Sequence, residues 1–319
     1  MADNRFLNVD ALEYCGKEAR DIMSQDVYSL DIRDYGITFL PNTKGKTKIH
    51  TGEISELLQS YSCPFTPQGN AVLGEWFVEP VALKANIEAC YSDFWDNYLV
   101  ESTEISLRGG IPAEFSDWYF AKFREELKAE YQEIFWKGDV DYSGETKQYL
   151  VVTDGIEKQL EDNDDVTKIS GASFTVDNIL EQVEAAVVEA MNLAADGGFA
   201  FDKYKIFMNK NDVMMLKVAL GKLCCGNSTS DKFSNYGKEG DKVFIYGLEV
   251  IPTEQSRNTV IVANPKNLVL AFDVFDSHAS YKLIDMRNTT GDNMFRVLAI
   301  TNIGVGIVWP STIVYSRAV

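Results

Sequence analysis

Histidine, the side chain best suited to proton transfer near neutral pH, occurs twice, at His50 and His278. His278 lies in Asp276-Ser277-His278-Ala279-Ser280, which contains the residue types of a Ser-His-Asp triad. Triad members converge from distant parts of a chain, and neighbours within one turn cannot do so, so no hydrolase is read from this segment. The run Glu161-Asp162-Asn163-Asp164-Asp165 offers the carboxylate oxygens that calcium takes. It lacks the glycine and the spaced glutamate of an EF-hand loop, and the expectation is a solvated acidic loop. Lys44, Lys46 and Lys48 alternate through Pro41-Asn42-Thr43-Lys44-Gly45-Lys46-Thr47-Lys48, close to His50. They form no Walker pattern and open no apolar-periodic helix, so exposed loop charge is the plain reading. Five cysteines, Cys15, Cys63, Cys90, Cys224 and Cys225, supply neither a disulfide framework nor a paired zinc signature. No catalytic residue, cofactor or metal site is expected.

The composition narrows what remains. With 319 residues, 45% of them hydrophobic and 24% charged, the chain can bury one large core or two smaller ones. Acids outnumber bases 48 to 30, a formal net charge of −18, so the surface as a whole repels nucleic acid and argues against a sequence-reading DNA-binding role. No run of about 18 uncharged apolar residues occurs, and Met1-Ala2-Asp3-Asn4 leads into mixed acidic sequence. The expectation is a soluble, unsecreted protein without a membrane segment, in a reducing compartment.

The elements that must hold these residues are located by hydrophobic period. Residues 1–35 carry a short helical pattern at Val9, Leu12, Cys15 and Ile22, then a poorly periodic stretch through Tyr28, Ile32 and Tyr35, and read as an arm. Ile37-Thr38-Phe39-Leu40 and Glu75-Trp76-Phe77-Val78-Glu79-Pro80 are strand-like. They enclose a polar excursion of roughly 30 residues, long for a compact domain and characteristic of a functional loop, with the lysines at its tip. Pro112 opens the best helix, with Phe115, Trp118, Tyr119, Phe123, Leu127, Tyr131 and Ile134 on one face, an aromatic stripe that reads as core. From Pro112 to Trp136 it spans about 37 Å, and Gly138-Asp139 ends it.

The second half alternates helices and strands. A helix is expected from an N-cap at Thr175 through Ile179, Leu180, Val183, Val187 and Met191 to Gly197-Gly198. Tyr204–Met208 reads as a strand, followed by a helix capped by Asn211 or Asp212 that carries Leu216, Leu220 and Leu223. Strands follow at Val243–Tyr246, Leu248–Ile251, Thr259–Ala263, Leu268–Phe272, Tyr281–Ile284, Phe295–Ile300 and Val305–Val308. No internal repeat is visible, and the fold class is α+β.

Three local phrases recur in this order. The first is Ile111-Pro112-Ala113-Glu114-Phe115 with Ile134-Phe135-Trp136-Lys137-Gly138-Asp139. The second is Gly155-Ile156 with Lys205-Ile206-Phe207-Met208-Asn209-Lys210-Asn211. The third is Tyr246-Gly247-Leu248-Glu249-Val250-Ile251-Pro252, then Val260-Ile261-Val262-Ala263-Asn264-Pro265-Lys266-Asn267-Leu268, then Asp273. With the order of elements, they resemble the Hong Kong 97-like fold of tailed-phage major capsid proteins over nearly the whole chain.

That resemblance implies an N-terminal arm over residues 1–35 and an E-loop over 36–82. It implies a P-domain over 83–150 with its spine helix at 112–136, and an A-domain over 151–279. P-domain return strands would take 280–303, and a C-terminal strand of the A-domain 304–319. It implies a structural, non-enzymatic subunit that self-assembles into the hexamers and pentamers of an icosahedral head enclosing double-stranded DNA. Scaffolding, portal and decoration proteins are the further partners it suggests, and packaged DNA would be met only non-specifically, by an acidic wall that does not stick to it. The subunit would be assembled in the host bacterial cytoplasm and reside in the virion. Some relatives carry a scaffolding extension ahead of the arm; here scaffolding is expected from a separate protein, or the chain is a processed form. Lys44, Lys46 and Lys48 would then reach the acidic surface of a neighbouring subunit and fix register by complementary charge. An encapsulin-like nanocompartment shell is the alternative within the same fold, and a cytosolic α+β enzyme the alternative outside it.

Overall fold

In the computed structural model the described residues are 13–14, 30–41, 43, 45–55, 58, 60, 70–90, 115–197, 200–225, 236–239, 242–272, 280–286 and 290–318. The first half gives β1 (Glu13–Tyr14), α1 (Asp31–Asp34), β2 (Thr38–Pro41), β3 (Thr47–Ser55), β4 (Asn70–Val78), β5 (Val81–Cys90) and the long helix α2 (Phe115–Lys137). Next come α3 (Ile156–Asp162), β6 (Thr167–Gly171), α4 (Ile179–Gly197), β7 (Lys205–Asn209) and α5 (Lys210–Cys225). Strands close the chain: β8 (Tyr236–Glu239), β9 (Lys242–Ile245), β10 (Leu248–Thr253), β11 (Thr259–Ala263), β12 (Leu268–Phe272), β13 (Ser280–Asp285), β14 (Met294–Ile307) and β15 (Val314–Ala318).

They form two large sheets and a separate ribbon. A six-stranded sheet runs β1-β13-β14-β12-β2, with β5 also paired to β14. A seven-stranded sheet runs β6-β15-β11-β7-β10-β9-β8, and β3 pairs only with β4. The first sheet is antiparallel except at β2–β12, and the second is parallel at β6–β15 and β7–β10.

The aromatic stripe of α2 explains how the sheets are joined. Tyr119, Phe123, Leu127, Tyr131 and Ile134 are buried at steps of three and four, which keeps them on one face. Tyr119 meets Phe295 of β14 edge-on at 4.5 Å, and Tyr131 meets Phe272 of β12 at 5.4 Å, so the helix lies across the six-stranded sheet. At its end Trp136 contacts Phe207 of β7 at 5.5 Å and so reaches the seven-stranded sheet. One core therefore runs through both sheets. A second core lies on the other face of the seven-stranded sheet, under α4 and α5.

Strand β14 records the same layering. Its residues alternate in burial up to Thr301, as a strand with one covered face does, and are buried continuously from Ile303 to Ile307. There Ile303, Val305 and Ile307 face the α2 core, while the β3–β4 ribbon covers the opposite side.

Several expectations are revised. Ile37–Leu40 is not the outgoing strand of the loop; β2 pairs in parallel with β12, and the partner of β4 is β3, which carries Lys48. Leu268–Phe272 and residues 304–307 lie in the six-stranded sheet, apart from their sequence neighbours β11 and β15 in the seven-stranded one. The cap of α5 is Asn209, whose Oδ1 accepts from Asn211 N at 2.9 Å, two residues before the expected position. At α4, Thr175 and Asn178 bond reciprocally, each side chain to the other's backbone N–H at 3.3 and 2.7 Å, as a capping pair does. Met191 points outward and is not in the α4 core. Glu13–Tyr14, inside the expected helical pattern of the arm, is a strand on the edge of β13, and the rest of that pattern lies outside the described residues.

Candidate functional site

The feature that the two sheets do not absorb is the β3–β4 ribbon, and its attachment is local. Trp76 and Val78 on β4 and Ile49 on β3 share one face, which packs against Val269, Ala271 and Val308. The seat exists because β14 has glycine where that face would otherwise carry side chains. A Cβ on Gly306 would collide with the Trp76 indole, and one on Gly304 would stand 2.9 Å from Val78 Cγ1. These two glycines leave room for the ribbon's base on the sheet.

The opposite face of the same base carries the candidate lysines. Phe77 is half-exposed, with Lys46 Nζ at 4.8 Å and Lys48 Nζ at 5.8 Å from its ring centre. Lys48 also pairs with the Glu75 carboxylate. An aromatic ring under two ammonium groups gains cation–π attraction and leaves a cationic, partly apolar surface. Lys46 and Lys48 are thus brought together, but at the base of the ribbon and not at its tip, because β3 continues to Ser55 before the chain turns. Lys44 lies outside the described residues.

Where the chain crosses between sheets, polar side chains clamp it. Asn267 is buried; its Nδ2 donates to Trp309 O at 2.8 Å and Thr312 Oγ1 at 2.6 Å, and its Oδ1 accepts from Trp309 N at 3.0 Å. It thereby ties the β11–β12 crossing to the β14–β15 crossing. Thr38 Oγ1 donates to Lys266 O at 2.8 Å and adds β2 to the same knot. Sequence reading quoted Asn264-Pro265-Lys266-Asn267 without seeing this role; the one available signal was a polar amide between two apolar strands.

A second clamp holds the end of α2. Gly155 N donates to Gly138 O at 2.8 Å, and a Cβ on Gly155 would stand 2.6 Å from Gly138 N. The Trp136-Lys137-Gly138-Asp139 and Gly155-Ile156 phrases therefore touch, at an approach that only glycine allows. Beside them Glu133 accepts from Lys137 at 3.0 Å, Lys147 at 2.5 Å and the Tyr149 hydroxyl. Partial burial pushes the Glu133 carboxyl up, but the hydrogen bonds from Lys147, Tyr149 and Lys137 outweigh it and hold the group at about 2. On α3 the buried Glu157 carboxylate accepts from Ser256 N and binds the β10–β11 turn; burial pushes its pKa up against that bond.

The residues considered for chemistry are not assembled. Asp276, Ser277 and His278 lie outside the described residues. His50 sits opposite Glu75 in the ribbon. In the acidic run, Glu161 is engaged by Arg317 and by the Tyr315 hydroxyl at 3.2 Å, and Asp162 by Lys158 at 3.4 Å. Among the described residues no group of three or more His, Cys, Asp or Glu side chains could hold a metal ion, and no helix is long and apolar enough to cross a membrane.

No family model and no curated protein matches the chain. Solved structures do. A chain of the satellite phage P4 procapsid, a structure that includes the size determination (Sid) protein, matches with a TM-score of 0.60 at 9% identity over 98% of this chain and 93% of that one. A chain from the capsid of Myoviridae phage XM1 matches at 0.55 and 9% identity, covering 99% and 97%. A chain from the capsid of the native GTA particle matches at 0.53 and 10% identity, covering 100% and 95%. At such identities the similarity is one of fold, and it runs the length of the molecule: this α+β chain has the fold of phage capsid chains.

Proposed function

We propose that this chain is the major capsid protein of a tailed phage, which self-assembles into the hexamers and pentamers of an icosahedral head around double-stranded DNA. The observation that carries the reading is the end-to-end match of fold to capsid chains, in a chain whose β3–β4 ribbon pairs with neither large sheet. In this reading the Hong Kong 97-like divisions apply. Residues 1–35 are the N-arm, 36–82 hold the E-loop as the β3–β4 ribbon, 83–150 are the P-domain with α2 as spine helix, and 151–279 the A-domain, with β2 and β12 of these spans paired in the six-stranded sheet. Residues 280–303 return to the P-domain, and 304–319 end in the A-domain with β15. The subunit resides in the virion after assembly in the host bacterial cytoplasm, with scaffolding, portal and decoration proteins as partners. Its mechanism is geometric: a two-stranded ribbon is marginal alone, and lying over a neighbour buries what its own chain leaves open. Lys46 and Lys48, with Lys44 just before them, meet acidic surface on that neighbour and set register by charge.

Negative-stain electron microscopy of the purified protein tests this. Uniform shells or capsomer rings are expected. A monodisperse monomer at every concentration and salt would overturn it.

A further inference from the structure

We propose that Glu157 is a proton-operated latch between α3 and the β10–β11 turn, closed while its carboxyl carries a proton and loosened when the carboxyl ionises. The inference goes beyond the capsid reading and does not depend on it.

The latch joins two pieces that are anchored separately. Ile156 and Leu160 of α3 lie in the core under α2, and Gln159 Nε2 donates to Val305 O of β14 at 3.0 Å, which ties the helix to the six-stranded sheet. The turn from β10 to β11 is fixed from within the seven-stranded sheet. Buried Gln255 donates there to Phe207 O at 3.2 Å and Thr259 O at 2.6 Å, and the buried Asp212 carboxylate accepts from Asn258 N at 2.7 Å. Ser256 stands between these fixed points, and its N–H goes to Glu157.

Two acids of α3 reach the seven-stranded sheet, and they are held differently. Glu161 is partly exposed and has a cation: Arg317 of β15 pairs with it, and the Tyr315 hydroxyl donates to it at 3.2 Å. Glu157 is 5% exposed, and the group that donates to it is the neutral Ser256 N–H. The charged groups on the surrounding elements are engaged with one another. Lys137 of α2 pairs with Glu133, Lys158 of α3 with Asp162, Arg317 with Glu161, Arg257 of the turn with Asp212, and Glu254 of the turn with Lys210. Asp154, just before α3, accepts from Val140 N at 2.9 Å.

A carboxylate taken out of water without a cation of its own is favoured in its neutral form. Burial pushes the Glu157 carboxyl up, and the bonds from Ser256 and the charges of Arg317 and Lys137 oppose this without cancelling it. In the unfolded chain the same carboxyl is in water and ionises in the ordinary glutamate range. Folding therefore favours the protonated form. Its stabilising contribution is complete below the ordinary range and is lost as pH rises through the midpoint of the folded state, so acid tightens the latch and rising pH loosens it.

Glu157→Gln, which stays neutral at every pH, tests this in free full-length subunits. Chemical denaturation of both chains is compared from about pH 4 to about pH 9, and the ratio of their folding constants is the readout, because the other titrations are common to both. The unsubstituted chain should lose against the variant as pH rises, by up to about tenfold per pH unit, the limit for one proton. A ratio that does not change with pH would overturn the latch, and so would a ratio that moves the other way, the mark of a carboxylate that folding keeps ionised. If the variant does not fold, the unsubstituted chain decides. Protection of the Ser256 amide, corrected for intrinsic exchange and compared with that of Ile261 in β11, should fall as pH rises, and a constant ratio of the two would overturn the latch. Neither measurement involves assembly, so failure of the latch leaves the capsid reading intact, and a chain that forms no shells leaves the latch standing.

Discussion

Strands β11 and β4 meet the same physical demand in different ways. All five residues of β11 are buried, with Val260 and Val262 under α4 and α5 and Ile261 and Ala263 in the core shared with α2. In β4, Val78 is buried and Trp76 half-buried, while Phe77 is 45% exposed with the Lys46 and Lys48 ammonium groups over its ring. β11 has paired strands on both sides, whereas β4 has one, β3. The first region is completed by its own chain. The second is a two-stranded sheet fixed at its base, which the proposed capsid assembly would complete with other copies. In the proposed reading the body is the mount and the ribbon the grip.

The largest effect is expected where the body is tied together. Asn267→Leu keeps side-chain volume but takes the acceptor from Trp309 N and the Asn267 bonds from Trp309 O and Thr312 Oγ1, which keep their bond to each other. An unsatisfied buried group costs about 1–3 kcal/mol, and with one such group and two lost bonds the expected total is about 2 kcal/mol. Chemical denaturation of free subunits should show that loss in one transition, because both sheets hang from the same knot. A loss below about 0.5 kcal/mol would mean that the crossings are not a shared support, and the contrast with the ribbon would weaken.

An intermediate and more local effect is expected at the seat. Trp76→Ala removes the indole that lies over Gly306, at a cost of about 2 kcal/mol for a half-buried ring. Hydrogen exchange should quicken across Thr47–Ser55 and Asn70–Val78 and stay unchanged in β7, β10 and β11, with shell yield falling. Gly306→Val should act in the same direction by filling the seat from below. Equal loss of protection in β11 would show that the ribbon is part of the body's cooperative unit.

The two regions also differed in how far the sequence revealed them. The α2 stripe was legible because a period near 3.6 states both the element and its inward face. β11 and β12 were legible as strands but not as members of different sheets, since strands buried on both sides are continuous apolar runs with no marked face. β5, β6 and β15 gave no clear signal; the burial of β5 is irregular, and it sits at the rim of its sheet. For α5 the cap was misplaced because Asn209, Asn211 and Asp212 are all good caps, and the choice depends on where β7 ends. The seat was not legible at all: Gly304 and Gly306 look like weak points of a strand until Val78 and Trp76, far away in sequence, are placed on them. The lysines were identified, but their height on the ribbon depended on the length of β3, which the polar composition of residues 47–55 concealed.

The smallest effect on stability, and the most selective on assembly, belongs to those lysines. Lys46→Ser with Lys48→Ser removes two cations from over Phe77 and the pair with Glu75, all at the surface. Exposed pairs contribute about 0–1 kcal/mol, so the unfolding midpoint of free subunits should hardly move. If the ribbon grips an acidic neighbour, the same change should slow assembly at low salt, where charge complementarity speeds encounter, and make the rate less sensitive to added salt, since the screened interaction is gone. Light scattering across a salt series reads both. A variant that assembles at the original rate with the original salt dependence would leave the lysines as solubilising charge, and the grip would then reside in the apolar part of the ribbon.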